Sequence, residues 1–181
     1  MRIKSILFEI FETFFVSLVV LLIINTFIGA IEQVWGASME PAFYTGERIL
    51  VEKISKGLLK FNRGEVVIIN APSTNGKHYI KRIVGLPGDI VKIYDCSVYI
   101  LRDGNKYKLD EPYIPSEECT RGGNEIRNGR SIRIQTDQYM VLGDNRDNSV
   151  DSRVFGFLTK DDIVGRVVFR FWPLSRLSFI S

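Results

Sequence analysis

Apolar residues are distributed along this chain in two different ways. One long apolar run extends from Phe14 to Ile31 without a charged residue, and its only clearly polar residues are Ser17, Asn25 and Thr26. Beyond Gly36 the apolar residues occur in short stretches that are rich in β-branched and aromatic side chains, and Gly, Asn, Asp and Pro residues separate these stretches. The pattern predicts one long N-terminal helix followed by a domain of many short strands.

The N-terminal run has the length of a membrane span, because about 18 to 20 helical residues cross the ~30 Å hydrocarbon layer. Arg2 and Lys4 precede the run and favour a cytoplasmic N-terminus. The apolar stretch of a cleavable leader is shorter, about 7 to 15 residues, so we expect an uncleaved anchor. The expected parts are a short cytoplasmic N-terminus (1–12), a transmembrane helix (13–32) and an extracytoplasmic domain (33–181).

The domain after the anchor is predicted to be all-β, either a sandwich or a barrel. One helical turn is expected at Thr159–Asp162, with Thr159 as its cap. The polar segment 103–130 is predicted to be a surface excursion with little chemistry, although its residues 109–114 can fold back onto the domain. The expected strands are 48–51, 65–69, 79–84, 90–94, 98–101, 131–135, 138–142 and 163–172.

Charge and composition exclude several kinds of site. The net charge of +3 comes from basic residues that alternate with acidic ones, which does not indicate a nucleic-acid surface. A single histidine and two separated cysteines do not fit a structural zinc site, and we expect neither metal nor cofactor. In an oxidising compartment Cys96 and Cys119 are able to form a disulfide, but the sequence leaves this open.

A serine and a lysine are the candidates for catalysis. Ser38 lies in a Gly-Ala-Ser-Met-Glu-Pro stretch just beyond the apolar run, and its small neighbours allow another backbone to approach. Strand alternation puts Lys81 on one face with Tyr79 and Ile83. Apolar surroundings lower the pKa of a lysine, and a neutral amine can take a proton from a serine hydroxyl. Each residue alone also fits a plain role, a linker serine or a solvated strand lysine.

The loop 143–153 is dense in Asp, Asn and Arg. It lacks the glycine and the glutamate that an EF-hand calcium loop requires, and its two arginines oppose a cation. We interpret it as a tight loop that Asp–Arg pairs brace. Its hydroxyls, on Ser149 and Ser152, are candidates for orienting a neutral lysine.

Taken together, these segments resemble the signature boxes of the type I signal peptidases of the prokaryotic Ser-Lys kind. The boxes are Ser38-Met39-x-Pro41, Gly46-x-Arg48-Ile49-Leu50-Val51, Tyr79-Ile80-Lys81-Arg82-Ile83-Val84-Gly85-Leu86-Pro87-Gly88-Asp89 and Gly143-Asp144-Asn145-Arg146-x-Asn148-Ser149-x-Asp151-Ser152-Arg153. They occur in the family's order behind a single expected anchor. The short outer domain is similar to the compact Gram-positive type.

The resemblance implies a membrane-bound serine endopeptidase that cuts signal peptides from secreted preproteins at Ala-x-Ala-type sites. It implies Ser38 as nucleophile, Lys81 as general base and acid, and Ser149 as the hydroxyl that orients the lysine. Its expected partners are preproteins and membrane lipid, without nucleic acid or metal. Two further sets follow from the resemblance: a charge network of Arg82, Asp144, Arg146, Asp151 and Arg153, and the pocket candidates Gly36, Met39 and Ile83.

The resemblance also raises one difficulty and leaves two alternatives. Some members have a hydroxyl two residues before the nucleophile as second oxyanion donor, but Gly36 stands there. One alternative is a membrane-anchored β-domain that binds peptides without catalysis. The other is a Ser-Lys self-cleaving protease, which the apolar run and the lack of a basic domain oppose.

Overall fold

Strands dominate the structure after its first helix. The computed structural model describes residues 2–23, 29–58, 60–72 and 76–180. The helices are α1 (Arg2–Ile23), α2 (Ile54–Leu58) and α3 (Ser152–Phe155), with 3-10 turns at Lys160–Asp162 and Leu174–Arg176. The strands are β1 (Gly29–Gln33), β2 (Arg48–Glu52), β3 (Val66–Asn70), β4 (His78–Gly85), β5 (Ile90–Tyr94), β6 (Ser97–Arg102), β7 (Asn105–Lys108), β8 (Ser131–Arg133), β9 (Gln138–Leu142), β10 (Leu158–Thr159), β11 (Ile163–Trp172) and β12 (Ser178–Phe179).

The strands form two sheets. The larger sheet has the order β1-β2-β11-β3-β4-β9-β10, with β12 beside β11, and the smaller has the order β7-β6-β5-β8. Neighbouring strands run antiparallel in both sheets. The predicted all-β class is confirmed in this sense: the domain after α1 consists mainly of β-sheet.

Apolar side chains pack on both sides of the larger sheet. One cluster lies inside the curve of β1, β2, β11, β3 and β4 and includes Val34, Ile49, Ile68 and Ile80. A second cluster covers the opposite side of β3 and β4 and includes Ile83. A third joins β4 and β9 to β5 and β6 of the smaller sheet. Strand alternation therefore divides the residues of β4 among different packing environments.

A disulfide fastens the polar segment to the smaller sheet. Cys96, in the turn between β5 and β6, is bonded to Cys119, which is 23 residues further along the chain. The amide of Thr120 also donates a hydrogen bond to the carbonyl of Cys96. The pairing that the sequence left open is therefore present, and it fixes residues 97–118 as a closed loop.

The predicted strands agree closely with those observed. The expected strands 90–94, 138–142 and 163–172 have the same bounds in the structure. The helical turn is also confirmed, since Thr159 caps the 3-10 turn that follows it through a capping box with Asp162. Four strands were not predicted: β1, β7, β10 and β12.

The expected helix over 13–32 has different limits in the structure. The helix α1 already begins at Arg2, within the expected N-terminus 1–12, while Gly29–Gln33 forms β1; residues 24–28 lie outside the described residues. The end of the apolar run is a strand because it pairs in antiparallel register with β2. Gly29 permits this close approach, since a Cβ there would lie 3.0 Å from the carbonyl oxygen of Val51.

The described helices were also compared with the dimensions of a bilayer. None of them, over the residues that the structure describes, combines the length and the apolar character that a membrane crossing requires.

Candidate active site

The structure brings Ser38 and Lys81 into direct contact. Ser38 lies in the turn after β1, and Lys81 lies in the middle of β4. A hydrogen bond of 2.7 Å joins Nζ of Lys81 to Oγ of Ser38. The same Nζ donates to the carbonyl of Ile80 at 3.0 Å. The lysine is therefore held at two points, with its nitrogen against the serine hydroxyl.

Three features of the chain fix the turn that carries Ser38. Within the turn, the amide of Phe43 donates to the carbonyl of Met39 at 2.8 Å, and both of these side chains are buried in the core. Gly36 precedes the turn with a φ of 86°, a conformation that glycine adopts without strain. From the other side, the amide of Asn145 donates to the carbonyl of Ser38 at 3.1 Å.

Burial changes the acidity of the lysine. Lys81 is only 2% exposed, and its Nζ lies 5.4 Å from the centre of the Tyr79 ring. Desolvation lowers the pKa of Lys81 to about 8, although the negative charges of Asp151 and Asp144 oppose the shift. A substantial fraction of the amine is therefore neutral near physiological pH, as a general base requires.

The five residues of the expected charge network are all buried, and four of them form pairs as the sequence indicated. Arg82 donates to Asp144 through Nε at 2.8 Å and Nη2 at 2.6 Å. Arg153 donates to Asp151 through Nε and Nη2, both at 2.8 Å. Asp151 also accepts from the amide of Gly143 at 3.0 Å, so the second pair holds the start of the loop.

The fifth residue of the network, Arg146, pairs outside the loop. Its Nη2 donates to Oε1 of Glu111 at 2.5 Å, its Nε donates to the carbonyl of Gly143, and its Nη1 donates to Thr120. Burial opposes the charge of Arg146, but its hydrogen bond and ion pair with Glu111 outweigh this and raise its pKa. The expectation that the loop is braced by internal pairs alone is therefore wrong for this arginine.

The polar segment 103–130 contributes more to the site than expected. It supplies Glu111 and Thr120 to Arg146, and the ring of Tyr113 lies 4.0 Å from the guanidinium carbon of Arg82. The hydroxyl of Tyr113 donates to Glu111 at 2.7 Å. The expectation that this excursion holds little chemistry is wrong in one respect, because its side chains complete the charge network of the loop 143–153.

The hydroxyl of Ser149 is buried close to the serine, but it does not contact the lysine. A Cβ on Gly143 would lie 2.3 Å from Oγ of Ser149 and 2.4 Å from the carbonyl oxygen of Ser38, so these groups crowd round the glycine. Among the described residues Oγ of Ser149 has no hydrogen-bond partner. The other hydroxyl of the loop, on Ser152, accepts a hydrogen bond from the amide of Val141 at 2.9 Å.

An open cleft of about 220 Å³ surrounds the serine. Gly36 lines this cleft, as expected from the sequence. Met39 and Ile83 do not, because they are 1% and 0% exposed in two different core clusters. For these two residues the role of pocket wall stays a prediction. The other residues at the cleft are Trp35, Ala37, Tyr79, Ile80, Asn148 and Val150.

A larger chamber of about 530 Å³ continues from the cleft, and Trp35, Tyr79 and Ile80 border both. The floor of the chamber is apolar and consists of Val34, Ile49, Ile68 and Ile80. Its position follows from the sheet: β1 pairs only with β2, and β9 pairs with the second half of β4. Among the described residues, one edge of β1 and one edge of the first half of β4 have no strand partner, and both strands border the chamber.

The described residues contain no group of potential metal ligands. Within 2–23, 29–58, 60–72 and 76–180, no three His, Cys, Asp or Glu side chains are arranged to hold an ion.

Comparisons with known proteins agree on one family. The family model described as "Signal peptidase, peptidase S26" matches residues 7–172. The "Probable signal peptidase I-2" of Synechocystis sp. is 35% identical over 178 residues, which cover 96% of this chain and 77% of that protein. The "Signal peptidase IB" of Staphylococcus aureus (strain MRSA252) is 36% identical over 175 residues, covering 91% of this chain and 88% of the relative.

A crystal structure of a signal peptidase I from Enterococcus faecalis V583 is also similar. It shares 28% sequence identity and covers 59% of this chain and 96% of its own, with a TM-score of 0.47.

Proposed function

This chain belongs to the S26 signal peptidase family and is a peptidase, and we propose that its Ser38–Lys81 pair cleaves signal peptides from preproteins. The observation that carries the proposal is the 2.7 Å contact between Nζ of a buried lysine and Oγ of the serine. The pKa of about 8 supports it, because the lysine must be neutral to accept a proton.

In the proposed reaction the neutral amine of Lys81 takes the proton of the Ser38 hydroxyl while Oγ attacks the carbonyl carbon of the scissile bond. The resulting ammonium gives this proton to the leaving amine as the C–N bond breaks, which leaves the leader as an ester on Ser38. Lys81 then removes a proton from water as the water oxygen attacks the ester carbon. The ammonium returns this proton to Oγ of Ser38 as the ester bond breaks, which releases the leader and the serine. Every proton taken is returned, so no cofactor is needed.

The developing oxyanion requires hydrogen-bond donors. We assign the backbone amide of Ser38 as the first, since it lies next to the attacking oxygen. The second is not a side chain two residues earlier, because Gly36 has none there. Loss of one donor costs about 3 kcal/mol of transition-state stabilisation in other serine peptidases.

Substrate is proposed to bind as an extended strand in the gap between β1 and β4. Among the described residues these two edges have no strand partner, and an added strand can pair with them. Alternate side chains of such a strand point the same way, so the first and third residues before the cut face the cleft and the chamber. The open cleft beside Ser38 and the apolar chamber fit the small apolar residues of an Ala-x-Ala site.

The remaining residues are proposed to position the pair. Arg82 and Asp144 hold β4 against the loop, while Asp151 and Arg153 hold the loop beneath Ser38. Ser149 is proposed to orient the lysine through its buried Oγ, which has no hydrogen-bond partner among the described residues and is free to turn towards Nζ.

A membrane location is proposed from the exposed apolar surface. In α1 the large apolar side chains are exposed on every face, for example Phe8 at 65%, Phe14 at 66% and Leu21 at 62%. On the outer face of the larger sheet a row of apolar residues crosses β1, β2, β11 and β12: Ile31, Leu50, Phe169 and Phe179. Such surface is stable in contact with lipid. We therefore propose that the N-terminal segment anchors the chain, with the N-terminus cytoplasmic and the disulfide-bonded domain outside.

The deciding experiment is cleavage of a purified preprotein whose leader ends in Ala-x-Ala. The full chain in detergent is expected to release the leader, and Ser38→Ala and Lys81→Ala are each expected to abolish release while the proteins remain folded. Ser116→Ala, which alters an exposed serine far along the chain, is the matched control and should cut normally. Cleavage by Ser38→Ala at the wild-type rate would refute the peptidase mechanism. If the wild type and all variants bind the preprotein and none of them cuts it, the domain is a binding module.

A further inference from the structure

One side-chain contact crosses the gap in the larger sheet. Nδ1 of His78, at the start of β4, lies 2.9 Å from Oε1 of Glu32 in β1. These strands are separated by three others in the order of the sheet, so the contact forms only because the sheet curls round. The two side chains are 39% and 28% exposed, and they therefore lie at the surface rather than in the core.

The side chains of Glu32 and His78 both face the chamber. Strand alternation puts His78 on one face with Ile80, and it puts Glu32 on one face with Val34. Ile80 and Val34 belong to the apolar floor of the chamber, and all four residues line it. The polar pair thus forms the layer next to the floor, at the end of the chamber away from the serine.

The distance from the serine sets which substrate residue meets the pair. His78 precedes Lys81 by three residues, which is about 10 Å along a strand. The third residue before the cut lies about 7 Å from the first on the same scale, and the fifth lies about 13 Å from it. The third side chain, which faces the chamber, therefore lies between the serine and the pair.

From this geometry we infer that Glu32 and His78 form a wall that limits the size of the third substrate residue before the cut. The inference rests on the proposed function. The chamber measures about 530 Å³ with the pair as part of its lining, and a bound strand places its backbone there as well as its third side chain. The space left for that side chain is therefore bounded by the pair at one end. A bulky third side chain reaches the pair and can enter only by breaking its hydrogen bond. A small third side chain does not reach the pair and leaves its hydrogen bond intact.

The test is a selectivity measurement on the full chain. Three preproteins with alanine at the first position before the cut carry Ala, Leu or Phe at the third. kcat/KM is measured for the wild type, Glu32→Ala, His78→Ala and the double variant, and Lys92→Ala in β5 of the smaller sheet is the matched control. We expect the Phe-to-Ala ratio of kcat/KM to rise about tenfold in either single variant, the size of effect that one or two methylene groups have in an apolar pocket.

The double variant distinguishes a pair from two independent residues. Either single change breaks the same contact, so the double variant should show the ratio of the single ones. A ratio within twofold of the wild type in both single variants, or two effects that multiply in the double variant, would overturn the inference. Should an alanine variant fail to fold, Glu32→Thr and His78→Thr replace it with the same expectations, since threonine favours strands and is too short to cross the gap.

Failure of the proposed function gives a different result. If the wild type does not cut the alanine preprotein, the peptidase mechanism itself is wrong. If it cuts this preprotein and the ratios do not respond to the variants, only the role of Glu32 and His78 is wrong.

Discussion

Lowering the pH should stop the reaction by protonating Lys81. Its pKa falls from 10.5 to about 8 because burial removes the ammonium group from water. With this pKa about a tenth of the molecules carry a neutral amine at pH 7 and about half do at pH 8. A lysine with the ordinary pKa would be neutral in only about one molecule in three thousand at pH 7. Burial therefore increases the reactive population at pH 7 by about 300-fold.

The assay is kcat/KM on an Ala-x-Ala preprotein as a function of pH. We expect it to rise about tenfold per pH unit up to about pH 7 and to level off above the pKa of Lys81, because only the neutral amine reacts. His78 is the single histidine of the chain, so His78→Gln is the control, and the midpoint should not move in this variant. A profile that is flat between about pH 5 and pH 8, or a midpoint near that of an exposed lysine, would refute the reasoning.

Three further predictions concern stability. Lys81→Met should raise the free energy of unfolding by about 2 kcal/mol at pH 7. The lowered pKa of Lys81 means that its ammonium form is less stable in the folded protein than in the unfolded one, and methionine removes this cost. The loss of the hydrogen bonds of Lys81 offsets part of the gain. In urea titrations at increasing pH this difference should shrink between about pH 8 and pH 10.5, where only the unfolded lysine is still protonated; a constant difference would contradict it. The double change Cys96→Ser and Cys119→Ser should lower the free energy of unfolding by about 3 kcal/mol, and reductant should lower the melting temperature of the wild type only. Glu111→Gln should cost about 3 to 5 kcal/mol because it leaves a buried arginine without its counter-charge. Asp147→Asn, in an exposed ion pair, should cost less than about 1 kcal/mol, and equal losses in the two variants would show that burial is not the cause.

The elements that the sequence predicted well are those whose signal is local. The strand at 163–172 is a continuous run of β-branched and aromatic residues, and its bounds are those observed. The strand β1 was missed for the opposite reason. Its Gly-Ala-Ile start continues the apolar run before it, and only the pairing with Arg48–Glu52 determines that it is extended. That partner lies nearly twenty residues further along the chain, where no local pattern indicates it.

The site was predictable in its centre and less so at its margins. The contact between Ser38 and Lys81 was predictable because a nucleophile needs a base and because burial can be inferred from strand alternation. Glu111 was missed, although a signal exists: the expected network has three arginines and only two aspartates. A third buried arginine requires another carboxylate. The burial of Met39 and Ile83 was not predicted, because closeness in sequence to a reactive residue does not determine how much of a side chain is exposed.

The unpaired edges of β1 and β4 have a consequence for turnover. In the proposed binding mode, a leader that has just been cut keeps the backbone hydrogen bonds that held it as part of the preprotein, because the residues before the cut make these bonds. Product and substrate therefore compete for the same two edges. In a mixture of both, the rate of repeated cutting is expected to depend on how quickly the spent leader departs.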